Sequence, residues 1–116
     1  MADSSTRVTV GVAVDPFLFR SALHAALVAD GRFDAHLCPL GDDAVLHARG
    51  CQAQMLIVSR RRVADGLCVV VLSSDDPTVQ ISTDGRYRNL DYGDMSSLRN
   101  QLAQQGGLLT LRDAAS

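Results

Sequence analysis

Residues 7–28 read RVTVGVAVDPFLFRSALHAALV, and the change of period inside this stretch decides the fold class. In 7–14, RVTVGVAV, strand formers alternate with small residues until Asp15-Pro16 breaks the run. From Pro16 to about Val28 the apolar residues Phe17, Leu18, Ala22, Leu23, Ala26 and Leu27 recur at helical spacing, and Asp30-Gly31 ends them. A strand followed at once by an amphipathic helix is the opening unit of an α/β domain.

The alternation continues. Phe33–Cys38 predicts a second strand. Gly41-Asp42-Asp43 then offers a cap for a helix through Ala44, Val45, Leu46 and Ala48 that Gly50 closes. MLIV at 55–58 and LCVVVL at 67–72 are short unbroken apolar runs, as expected of strands covered on both faces of a parallel sheet. The link RRRVADG between them is shorter than the dozen or so residues that a parallel crossover usually needs. Either the crossover helix has shrunk to a turn or the fourth strand is not parallel. Thr78–Thr83 and Arg86–Leu90 flank Asp84-Gly85, the strongest short hairpin signal, and predict an antiparallel hairpin on the sheet edge. Asp94 caps a last helix in which Met95, Leu98 and Leu102 share a face. Gly106-Gly107 is read as its terminator, and Arg99, Asn100, Gln101, Gln104 and Gln105 as its polar side.

Length and composition bound the function. The 116 residues, 47% hydrophobic and 21% charged, suffice for one core without metal or disulfide. A net charge of -2 supplies no basic face for a polyanion, so these residues are not expected to bind DNA themselves. All basic residues are arginine, a bias better explained by a GC-rich genome than by so many bidentate sites. Cys38, Cys51 and Cys68 form an odd set without CxxC spacing, which fits a reducing cytoplasm. The start MADSSTRVTV has no apolar signal core, and no apolar run approaches the roughly 18 residues of a membrane span.

The stretch VTVGVAVDPFLFRSALHAAL resembles the first strand and helix of response-regulator receiver domains. It is nearest the subgroup that carries a LuxR-type DNA-binding domain, through the acidic loop and Leu18-Phe19-Arg20. The similarity continues through the second strand, GDDA, MLIVS, VVVLSS and the last helix, about two-thirds of the chain. It implies a flavodoxin-like, CheY-like doubly wound sheet, mostly parallel and degenerate in its second half, over residues 1–105. Residues 106–116, GGLLTLRDAAS, form a tail resembling the opening of a helix-turn-helix domain that lies outside this chain.

In that family two carboxylates hold Mg²⁺ and a third is phosphorylated. Here the acidic pair falls on Val14-Asp15 and the phosphoacceptor on Ser59. Ser73 matches the hydroxyl residue after the fourth strand, and Asp91 stands loosely where a lysine is expected. The resemblance therefore implies an atypical receiver that cannot be phosphorylated, a regulatory module rather than an enzyme. It needs no cofactor or metal, and DNA is reached only through a separate C-terminal domain. The family also implies a homodimer face on the last helix, at Met95, Leu98, Arg99 and Leu102, or a protein partner.

Arg60-Arg61-Arg62 projects from the carboxyl-end rim, where open α/β sheets bind ligands. Three guanidinium groups there could hold an anionic small molecule or a partner's carboxylates. The simpler reading is a solvated loop pairing with Asp15, Asp65 or Asp91. Asp15 is better explained as a helix cap than as a weak cation site. His24, His36 and His47 lack metal-ligand spacing. Cys38 lacks the glycine-rich anion loop of a phosphocysteine carrier, and Ser59 lacks a nucleophile elbow.

Overall fold

The structure, a computed structural model, describes residues 7–41, 43–60, 67–73, 76–82, 87–91 and 93–115. The elements run β1 (Val8–Ala13), α1 (Phe17–Asp30), β2 (Phe33–Leu37), α2 (Asp43–Gly50), β3 (Met55–Val58), β4 (Cys68–Ser73), β5 (Asp76–Ser82), β6 (Tyr87–Asp91) and α3 (Met95–Ala115). They build one six-stranded mixed sheet in the order β2-β1-β3-β4-β5-β6. The pairs β1·β2, β1·β3 and β3·β4 are parallel, while β4·β5 and β5·β6 are antiparallel. The direction that the short RRRVADG link left open is thus parallel, Met55 pairing with Cys68 and Val58 with Val71. The antiparallel edge hairpin is present as β5 and β6, with Ser82 opposite Tyr87; Asp84-Gly85 lies outside the described residues.

Helices cover both faces. On one, α1 and α3 bury Leu23, Leu27, Leu98 and Leu102 against Val10, Val12, Met55, Ile57, Val70 and Leu72. On the other, α2 lays Ala44 and Ala48 over Ala13, Leu56 and Val58. All four β3 residues are buried, which is why MLIV shows no polar alternation. Small side chains on α2 let that helix come close. A Cβ on Gly11 of β1 would lie 2.9 Å from Cys38 Sγ, 3.1 Å from Leu56 Cδ1 and 3.5 Å from Ala48 Cβ.

Helix ends show where local signals hold. Gly31, at φ 81°, caps α1 as expected. Asp94 caps α3, its Oδ1 accepting from Ser97 N at 2.8 Å, and this bond holds the carboxyl below its usual range. Two helix-end expectations are corrected. Asp15 does not cap α1: the N-cap is Pro16, which has no side-chain acceptor, and only its carbonyl takes the Arg20 N–H, at 3.1 Å. Gly50, by contrast, ends α2 as expected, without a left-handed conformation. It is the last helical residue, and Gln52 turns at φ 59° while Ala53 N donates to Ala48 O at 2.9 Å, a Schellman closure.

The second is the larger, because Gly106-Gly107 does not terminate α3, which continues to Ala115. Gly106 is buried against β1: a Cβ there would stand 2.3 Å from Val8 Cγ2 and 2.8 Å from Val8 Cγ1. The glycine serves close helix-on-strand approach, and the packing offsets its poor helix propensity of about 1 kcal/mol. Gln105 likewise leaves the polar side, being buried and accepting from Arg88 Nη2 at 3.1 Å.

Asp30 fastens the helical layer. Its side chain, 6% exposed, accepts from Arg32 Nη2 at 2.7 Å and from Arg99 Nη1 on α3 at 3.2 Å. Hydrogen bonding from Arg32 holds the carboxyl below its usual range; burial opposes this, and the charges of Arg32 and Arg99 add to it. A carboxyl with a depressed folded pKa stabilises in full above its unfolded pKa of about 3.9 and loses that contribution as pH falls through the folded value. Stability should therefore drop on acidification below about pH 4, and D30N should flatten part of that drop in urea titrations across the range.

The Val8 contact sets a second expectation. G106A should lose about 1–3 kcal/mol through overpacking. Adding V8A should recover part of the loss, and a double-mutant cycle reads the coupling. Strict additivity would mean that α3 does not rest on Val8.

Candidate functional site

In a sheet ordered β2-β1-β3-β4, the chain leaves β1 toward one side and enters β3 on the other. The loops after these two strands therefore diverge and open a crevice at their carboxyl ends. A cleft of about 290 Å³ lies there, lined among the described residues by Ala13, Asp15, Leu40, Gly41, Val58, Ser59 and Arg60. Ala13 and Val58 are adjacent strand residues in register and form an apolar floor. Leu40, 48% exposed, stands on the wall behind β2.

Ser59 ties the crevice together. Its Oγ accepts from Asp15 N at 2.9 Å and lies 3.4 Å from Asp15 O, to which it can donate. The hydroxyl thus crosslinks the β1 and β3 loops rather than facing the cleft as a free nucleophile. Val14 is fully buried in the α1/α3 core, so the position expected to hold a second carboxylate is part of the hydrophobic packing. Asp15 and Arg60 are exposed on the cleft, and no ion pair joins them.

Of the other expected positions, Ser73 ends β4, the parallel neighbour of β3, with its side chain outside what the structure describes, and Asp91 ends β6, the edge strand. The edge hairpin leaves Asp91 three strand spacings from β3, roughly 14 Å at about 4.8 Å each. Arg61 and Arg62 lie outside the described residues, as does Asp65, so of the arginine run only Arg60 is placed on the cleft. Asp91 instead offers its backbone carbonyl to Gln101 Nε2 at 3.1 Å.

The last-helix residues divide. Leu98 and Leu102 are fully buried in the chain's own core, Met95 is half-buried against it, and Arg99 bonds Asp30. The two leucines therefore serve the fold and are not surface groups.

The remaining reactive side chains lie elsewhere. Among the described residues, no three His, Cys or Asp side chains are close enough to hold a metal. His24 Nε2 lies 3.2 Å from Ala35 O, and His36 sits 3.3 Å from Asp34. Cys38 is buried and desolvation raises its thiol pKa, while burial pushes Cys68 up to about 11. Neither is a ready thiolate. Among the described residues no helix is long and apolar enough to cross a membrane.

Leu40 was not singled out from the sequence, and Gly41 was read only as part of a helix cap. The signal available was Pro39, which stops β2 and sends the next residues across the carboxyl end beside β1. No protein-family model matches the chain, and neither a curated protein nor a solved structure matches it.

Because Ser59 joins two loops through an exposed hydrogen-bond pair, S59A should cost about 0.5–1.5 kcal/mol. Amide exchange should quicken at Asp15 and leave β1 protected; unchanged exchange at Asp15 would remove the crosslinking role.

Proposed function

We propose that this chain is a receiver-like regulatory domain that works without phosphorylation, signalling by contact as the N-terminal part of a cytoplasmic transcription regulator. The observation that carries the reading is the state of the carboxyl-end crevice. Val14 is core, Ser59 Oγ is bonded to the Asp15 backbone, and Asp15 is the lone carboxylate lining the cleft among the described residues. One carboxylate is a poor Mg²⁺ site, and a serine cannot form an acyl phosphate.

The architecture supports the same reading. A parallel β2-β1-β3-β4 core with helices on both faces is compatible with a flavodoxin-like origin. The hairpin then stands where a further helix and parallel strand would complete that pattern. The three cysteines, all unpaired, accord with a reducing compartment. With Leu98 and Leu102 inside the core, self-association would use the outer edge of β6, since an edge strand is a template for pairing. DNA would be reached through a helix-turn-helix domain joined to α3.

Incubation with Mg²⁺ and a small-molecule phosphodonor should add no phosphoryl group to the intact mass, while sedimentation should show a concentration-dependent dimer. A stable adduct on Asp15 would overturn the phosphorylation-independent reading. A chain that stays monomeric at every concentration would overturn self-association.

A further inference from the structure

Among the described residues, the cleft carries two charges without a partner. Asp15 and Arg60 both line it, no described residue pairs with the Asp15 carboxylate or the Arg60 guanidinium, and the two do not meet each other. Between them lie the apolar floor of Ala13 and Val58 and the exposed side chain of Leu40. We infer that this cleft binds a small zwitterion, an α-amino acid with an apolar side chain. Its carboxylate sits on Arg60, its ammonium on Asp15, and its side chain against Leu40.

The chemistry selects this class over simpler ones. A divalent cation would find one carboxylate where it needs several oxygen ligands, and would face the Arg60 charge. An inorganic anion would gain Arg60 and be repelled by Asp15. An uncharged ligand would take both charges partly out of water with nothing in exchange. A zwitterion answers both, because the arginine fork matches a carboxylate with two parallel hydrogen bonds and Asp15 accepts from an ammonium.

Size and rigidity agree. The cleft of about 290 Å³ corresponds to roughly ten waters at about 30 Å³ each, room for a ligand on the order of ten non-hydrogen atoms. The Ser59–Asp15 crosslink holds the two loops in place before any ligand arrives, which limits the ordering cost of binding. The inference goes beyond the regulatory reading and revises the expected anion at this rim to a ligand carrying both charges.

The test is a nitrogen-15 NMR titration of the whole chain with apolar α-amino acids, each beside its N-acetyl and carboxamide derivatives. At least one parent amino acid should give saturable shifts at the Asp15, Leu40, Gly41 and Arg60 amides. Both derivatives should bind roughly tenfold or more weakly, the loss of one charge-assisted contact. R60Q should abolish the preference for the acid over its carboxamide, and D15N the preference for the free amine over its acetyl form. Both residues are exposed, so an unchanged spectrum elsewhere shows that the variants fold. Three outcomes would overturn the proposal: no parent shifts these amides, the blocked forms bind as tightly, or inorganic phosphate alone reproduces the shifts. Each leaves the regulatory reading to its own phosphodonor and sedimentation tests.

Discussion

Strand β1 is hydrogen-bonded to β2 on one side and β3 on the other, and it is covered above and below, so every residue but the half-buried Thr9 is buried. A parallel strand in this position has no polar face to offer. Val10 and Val12 accordingly pack against α1 and α3, while Ala13 packs beneath α2. Between them Gly11 is held small by Cys38 and Leu56. Position 14 inherits the same requirement, for Val14 completes the α1/α3 core just past the strand. At the position where the receiver resemblance implies a carboxylate, Val14 is thus a packing residue.

The short connection after β3 has consequences across the sheet. With little chain available between Ser59 and Leu67, β4 still enters parallel to β3. Beyond β4 the pattern changes, as an antiparallel hairpin extends the sheet and carries Asp91 out to the edge. What remains at the carboxyl end is compact: Asp15, Ser59 and Arg60 around a floor of Ala13 and Val58. Serine suits this place because a short hydroxyl can both accept from the N–H and donate to the carbonyl of one neighbouring residue, which an ionised aspartate, acceptor only, cannot do.

The helical layer is joined by two contacts of opposite kind. Asp30 at the end of α1 takes charge-assisted hydrogen bonds from Arg32 and Arg99, and Gly106 lets α3 approach Val8. One is electrostatic and responds to pH; the other is steric and does not. Together they set α3 against β1 at the amino end of the sheet, and from there the helix continues to Ala115.

The Asp84-Gly85 turn signal determined the antiparallel character of the edge hairpin, and periodicity by itself the first five elements. Apolar side chains must be buried wherever they recur on one face, whatever the fold. It also placed Ser59 and Arg60 on the rim, because residues that follow an apolar strand leave at its carboxyl end. Tertiary structure alone decided the rest. A Gly-Gly pair has the same local preferences at a helix end as at a close helix–strand contact, so only the neighbouring Val8 explains why α3 continues. Whether Asp15 caps a helix or lines a cleft depends on Pro16 taking the N-cap and on Ser59 holding the Asp15 backbone, a contact across 44 positions of sequence. The sharing of one cleft by Asp15, Arg60 and Leu40 depends on β1 lying between β2 and β3, a neighbour relation that no local pattern encodes.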